Sequence, residues 1–133
     1  MPEPRSLATH PVHLGLGATV REQPEFTGMD WYADYAARTE ADGDEGRLVT
    51  ISHFTENWES WERHPAGDEL VVCLSGAMTV IQERPDGSYA ETRLGPGDYA
   101  INPPGVWHTA DIAETASALF ITAGRGTEHR PRQ

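Results

Sequence analysis

The sequence predicts an all-β domain of about eight short strands, preceded by an N-terminal arm with one short helix. Three observations predict it. From Leu48 onward, short β-type apolar runs alternate with turn residues. The breaks are strong: Pro85-Asp86-Gly87, Gly95-Pro96-Gly97 and Pro103-Pro104-Gly105 combine a proline that presets φ with a glycine that accepts φ > 0. Before about residue 46 the β pattern is absent. A sandwich, a jelly roll or a closed barrel satisfies this spacing.

Residues 1–45 form the arm, packed on the barrel or on a dimer partner. Its helix is expected over about 28–38, with Thr27 at the N-cap and Asp30 three residues on as a loose capping box. Trp31, Tyr32, Tyr35 and Ala36 recur at helical spacing and form one apolar face, which suits packing onto the main body better than a cofactor site. The acidic run Glu40-Ala41-Asp42-Gly43-Asp44-Glu45-Gly46 reads as a solvated loop. Strands are expected at 48–55, 58–64, 70–75, 77–82, 89–94, 99–102, 108–111 and 117–123. These place the barrel at 46–124 and leave 125–133 as a solvated C-terminal tail. Two runs, Leu70-Val71-Val72-Cys73-Leu74 and Ala118-Leu119-Phe120-Ile121, are apolar on both faces, as in strands covered on both sides. Their outer face needs the arm and a second subunit, so a homodimer is expected.

The chain has 133 residues, one domain's worth, with a net charge of −11. That charge opposes binding to phosphates or to an anionic membrane surface, so neither nucleic acid nor membrane is an expected partner. The single cysteine, Cys73, excludes an internal disulfide and points to a reducing compartment. The start Met1-Pro2-Glu3-Pro4-Arg5 leads into no apolar segment, and a cytoplasmic location is expected. No Gly-x-Ser-x-Gly elbow, P-loop or dinucleotide fingerprint occurs, which disfavours serine hydrolase, NTPase and dinucleotide chemistry.

Glu62 and His64 lie two apart in a predicted strand and share a face. Glu69 opens the next strand, and His108 follows the Pro103-Pro104-Gly105 corner. Imidazoles and carboxylates converging inside a small barrel suit a divalent transition metal. On spacing alone, a His or Glu on a strand is more often an exposed or hydrogen-bonded structural residue.

The stretch Glu62-Arg63-His64-Pro65-Ala66-Gly67-Asp68-Glu69 followed six residues later by Gly76 resembles the first motif of the cupin family from its second histidine onward. Gly97, Pro103-x-Gly105 and His108 resemble the second motif. The resemblance spans about 48–123. It implies a cupin-type double-stranded β-helix, a jelly-roll barrel, with one metal near the mouth held by His64, Glu69 and His108. The first-histidine position carries Glu62, the usual asparagine position carries Ile112, and the opening glycine position carries Glu56. If Glu62 ligates, two carboxylates and two imidazoles favour Fe, Mn, Ni or Zn over Cu. If it does not, the remaining triad suits non-haem iron and Glu62 is the first choice for general base. Without metal, Glu62 and Glu69 should repel and one carboxyl pKa should rise.

These residues lead to a metal-binding protein, an enzyme of isomerase, lyase or dioxygenase type acting on a small molecule chelated to the metal. The alternatives are a non-catalytic binding or sensing module and a metal-free structural barrel. Trp58 shares the parity of Glu62 and His64 and belongs to the cavity or the core, whereas Trp61 and Arg63 should point outward. Trp107 could wall the pocket, His53 could support the site from a neighbouring strand, and Cys73 reads as a buried inert thiol. Arg125, Arg130 and Arg132 in the tail could clamp an anion; His10 and His13 carry no assigned role.

Overall fold

The computed structural model describes residues 2–133. Its strands are β1 (Val12–Gly15), β2 (Thr19–Glu22), β3 (Arg47–Phe54), β4 (Ser60–Arg63), β5 (Glu69–Gly76), β6 (Met78–Glu83), β7 (Tyr89–Leu94), β8 (Tyr99–Asn102), β9 (His108–Asp111), β10 (Ala116–Thr122) and β11 (Glu128–Pro131). A helix, α1 (Asp30–Arg38), and a 3₁₀ segment, Glu40–Glu45, lie between β2 and β3. The strands form two antiparallel sheets, one ordered β2-β1-β3-β10-β5-β8 and the other β11-β4-β9-β6-β7. Among the described residues no helix is long and apolar enough to cross a membrane.

The eight expected strands are present as β3–β10. Alternation along them builds the core: Val71 and Cys73 from β5 meet Ala116, Ala118 and Phe120 from β10, with Met78, Val80 and Leu94 from the opposite sheet. Cys73 is buried there, and burial pushes its thiol pKa up. The outward residues of β5 are Leu70, Val72 and Leu74, the last exposed. Gly76 ends β5 at φ +71, and a Cβ there would collide with the Thr115 carbonyl oxygen, so only glycine fits.

Three segments depart from expectation. The arm is not irregular throughout: β1 and β2 form a hairpin, and β1 extends the larger sheet by pairing Val12 with Val49. Thr27 does not cap α1. Met29 takes the cap position without a side-chain hydrogen bond, and Gly28 at φ +134 turns the chain between Thr27 and the helix. The C-terminal residues are not a free tail, because β11 pairs with β4 along Glu128–Pro131. β1 and β11 are short strands held by partners distant in sequence, β3 and β4, rather than by their own composition.

Trp31 anchors α1: it is buried, stacks on Tyr35 at 5.3 Å and 8°, and donates its indole N–H to the Pro24 carbonyl at 3.1 Å. The acidic run is also tied down. Asp42 in the 3₁₀ segment accepts from His13 Nε2 at 2.6 Å, and Tyr35 Oη lies 2.6 Å from His13 Nδ1. His13 thus joins β1, α1 and the 3₁₀ segment, a role its sequence neighbourhood did not indicate. The hydrogen bond from His13 holds the Asp42 carboxyl below its ordinary value, and burial pushes the Tyr35 phenol up to about 12.

Candidate metal centre

Glu62 lies near the end of β4, His64 just beyond it, Glu69 at the start of β5 and His108 at the start of β9. Register brings them together: Glu62 pairs with His108 across β4 and β9. The turn at Gly105, whose φ is +74, donates its N–H to the His64 carbonyl at 3.1 Å. One nitrogen or oxygen from each of Glu62, His64, Glu69 and His108 lies within 4.8 Å of the others. His64, Glu69 and His108 are buried, with exposures of 4%, 2% and 1%.

The contacts inside the cluster run from ring nitrogen to carboxylate. His64 Nε2 lies 3.1 Å from Glu69 Oε2 and 3.5 Å from Glu62 Oε1. His108 Nε2 lies 3.2 Å from Glu69 Oε1 and 3.4 Å from Glu62 Oε1. Atoms about 2.1 Å from a common ion at octahedral or tetrahedral angles would sit about 3.0–3.4 Å apart, so this spacing fits one metal.

The surrounding hydrogen bonds decide what the four side chains present. Thr127 donates its hydroxyl to the Gly124 carbonyl at 2.9 Å, so its oxygen accepts from His64 Nδ1 at 2.8 Å. His108 Nδ1 donates to the Val106 carbonyl at 3.3 Å. Both imidazoles therefore carry their Nδ1 proton outward and turn Nε2 to the centre. Glu69 is held at both oxygens, by Asn102 Nδ2 at 3.0 Å and Thr122 Oγ1 at 2.7 Å, and Gln82 Nε2 steadies Asn102 Oδ1 at 2.7 Å. Four lone-pair-bearing atoms thus face one another, and buried His64 Nε2 finds no hydrogen bond of proper geometry. Only a cation or added protons can occupy such a centre favourably. The donor set fits a divalent metal.

Without a metal, protons serve. Burial disfavours charge on both rings, but the Glu62 and Glu69 carboxylates 3.1–3.5 Å away favour the protonated rings and raise His64 and His108 to about 9. Burial likewise opposes charge on the carboxylates, yet the nearby His108 and His64 rings lower Glu62 to about 2 and also pull Glu69 down. The expected rise of one carboxyl pKa is therefore overturned: two imidazoles stand between the carboxylates and outweigh their repulsion.

Glu62, His64 and Glu69 open onto a cavity of about 930 Å³ whose apolar wall includes Phe54, Trp58 and Phe120, with Tyr32 of α1 also on the lining. Trp58 serves both roles weighed for it, lining the cavity and packing against the core, and its buried indole nitrogen has no hydrogen-bond partner among the described residues. Trp107 does not wall the pocket. Its ring lies 4.6 Å from the Arg63 guanidinium and 4.5 Å from that of Arg130. Trp61 points outward but is covered, stacked on Tyr89 at 5.4 Å. His53 lines the cavity and bonds Ser117 Oγ at 2.8 Å rather than the cluster. Arg130 pairs with Glu83 and Arg132 with Asp111; Arg125 is the tail arginine that reaches the cavity, near Asp44 at 3.6 Å. At the Ile112 position the backbone N–H donates to Asn57 Oδ1 at 2.7 Å.

Two residues that hold the site, Thr127 and His129, fall in the supposed tail and were missed. His129 Nε2 lies 3.3 Å from Glu62 Oε2. The available signal was a period of two, since Thr127 and His129 face the cavity while Glu128 pairs outward with Arg63 at 3.1 Å.

The chain is 34% identical over 86 residues to acireductone dioxygenases of two Rhodopseudomonas palustris strains, which covers 65% of this chain and 45% of theirs. It therefore spans about half the length of those relatives. Among solved structures, peruvianin-I, a cysteine peptidase from Thevetia peruviana latex, superposes with a TM-score of 0.54 at 20% identity, over 64% of this chain and 56% of that one. A Klebsiella pneumoniae protein with a double-stranded β-helix domain gives 0.52 at 23% identity, over 65% and 76%. At that identity the two structures speak for the fold alone. The cupin-domain model matches residues 54–124, more than half of the chain and all four clustered residues, and the protein belongs to the cupin family.

Proposed function

We propose that Glu62, His64, Glu69 and His108 hold one divalent transition metal, Fe, Mn, Ni or Zn, and that the protein is an enzyme acting on a small carbonyl- or carboxyl-bearing molecule that chelates it. The observation that carries this reading is the convergence of four ligand atoms within 4.8 Å beside a 930 Å³ cavity. Two carboxylates balance a divalent charge, and this oxygen-rich set disfavours Cu. Likeness to acireductone dioxygenases supports dioxygen chemistry ahead of an isomerase or lyase step.

A metal held there would act as Lewis acid and template for the substrate. The chain's own residues do the rest. Asn102 and Thr122 keep Glu69 turned inward, while Thr127 and the Val106 carbonyl hold both imidazoles in one tautomer. Phe54, Trp58 and Phe120 give the cavity an apolar wall. If Glu62 is off the metal it is the first choice for general base, with its Oε2 turned from His64 and His108 toward His129 Nε2 at 3.3 Å.

The test is metal analysis of purified and metal-reloaded protein, followed by oxygen uptake with enediols, 2-oxo acids and phenols under air and nitrogen. Stoichiometric metal with oxygen consumption supports the dioxygenase reading. Turnover under nitrogen moves it to isomerase or lyase, and binding without turnover leaves a sensing module. No metal under replete conditions overturns it.

We also propose a homodimer formed through the outer face of the six-stranded sheet. Leu70 faces Ile101 and Val72 faces Tyr99 across β5 and β8, with Leu74, Tyr99 and Ile101 exposed. The partner is otherwise a small molecule, since the charge of −11 opposes nucleic acid and anionic membranes. A lone buried thiol at Cys73 suits the cytoplasm.

A further inference from the structure

Glu62 occupies the middle of a rung that crosses three strands. It pairs with His129 across β11 and β4 and with His108 across β4 and β9, so three side chains stand as direct cross-strand neighbours. Its carboxylate is divided between them. Oε1 faces the two ring nitrogens at 3.4 and 3.5 Å, while Oε2 lies 3.3 Å from His129 Nε2. Every other member of the cluster has a partner behind it: Thr127 behind His64, Val106 behind His108, Asn102 and Thr122 behind Glu69. His129 fills that place for Glu62. Its side chain is 53% exposed and lines the cavity, so core packing does not explain it.

We propose that His129 is a positioning residue that holds the outer oxygen of Glu62, so that Glu62 meets a divalent cation through one oxygen and leaves a coordination position open toward the cavity. This rests on the metal reading above. A carboxylate can bind a metal through one oxygen or both. With Oε2 released, Glu62 would turn and chelate with both, closing the position a substrate needs.

The test is titration of the full chain with Co(II), read by visible absorption and by competition with a chelator. His129→Ala should lower the intensity of the Co(II) bands, as coordination number rises, and change affinity by about 10–100-fold. His129→Gln, whose amide can donate to the same oxygen, should keep the wild-type spectrum. A His129→Ala spectrum that superimposes on wild type overturns the proposal, as does a His129→Gln spectrum matching His129→Ala. If wild type takes up no Co(II), the metal reading fails on its own. The pairing is then decided in metal-free protein by the ¹⁵N shifts of the His129 ring, which must differ in Glu62→Gln; unchanged shifts overturn it.

Discussion

His64 Nε2 lies 3.1 Å from Glu69 Oε2, yet this buried nitrogen completes no hydrogen bond. The two groups are brought close and left unaligned, an arrangement that costs stability unless something positive sits between them. Metal removal should therefore be visible in the fold itself. Saturating metal at 1,000 times its dissociation constant should stabilise the protein by about 4 kcal/mol. The measurement is the thermal midpoint with Zn(II) or Ni(II) against excess chelator, and identical midpoints would contradict a metal at this position.

Truncating the ligands and their supports should grade the loss. His64→Ala and His108→Ala each remove a buried ring nitrogen from the centre and should abolish stoichiometric metal. Thr127→Val and Asn102→Ala leave the ligands in place but free their orientation, so affinity should fall about 10–100-fold. Metal content after dialysis and competition with a chelating dye separate the two classes.

The pH dependence of the metal-free protein has a definite sign. His64 and His108 are raised to about 9, so the stability they contribute is full below about 6.5 and lost as pH climbs through 9. Glu62 is lowered to about 2, so its contribution is full above about 4.5 and lost as pH falls through 2. Urea midpoints in chelator should peak between about pH 4.5 and 6.5. Metal affinity should run the opposite way, rising up to about tenfold per pH unit for each imidazole that must lose a proton, until pH 9. Urea midpoints that still climb from pH 6 to 9 would contradict the protonated cluster.

His13 ties the arm to the barrel through two 2.6 Å bonds, to Asp42 and Tyr35. His13→Ala breaks both and leaves space between β1 and α1, at a cost of roughly 2–4 kcal/mol in urea unfolding. Tyr35→Phe removes one bond and should cost about 1 kcal/mol. A loss under 0.5 kcal/mol for His13→Ala would show that the arm is held elsewhere.

Charges on the exposed face of the six-stranded sheet should separate the subunits. Wild type is expected to sediment at twice the chain mass at micromolar concentration, and Leu74→Asp with Ile101→Arg at the chain mass. Since both side chains point away from the core, folding should survive. A wild-type monomer at 100 µM would rule the dimer out.

The eight strands β3–β10 were legible because each is a short β-type run bounded on at least one side by proline or glycine. The four clustered residues were legible for a related reason: Glu62, His64, Glu69 and His108 lie at fixed offsets within those strands and corners, and a resemblance to known motifs names such offsets. β1, β2 and β11 were not legible. Four residues such as Val12–Gly15 or Glu128–Pro131 carry too little pattern to declare a strand, and they form because a neighbouring edge offers hydrogen bonds.

What the chain's order of residues determined by itself was local: alternation, turn positions, the burial of Cys73 and the face shared by Glu62 and His64. What only the tertiary structure decided was every relation across strands. It set Thr127 behind His64, His129 behind Glu62, and His13 between Asp42 and Tyr35. It also lowered both carboxyl pKa values where repulsion alone would have raised one. The reason is that register between strands is a collective choice of whole faces, and the charge state of a buried group depends on whichever neighbours that choice delivers.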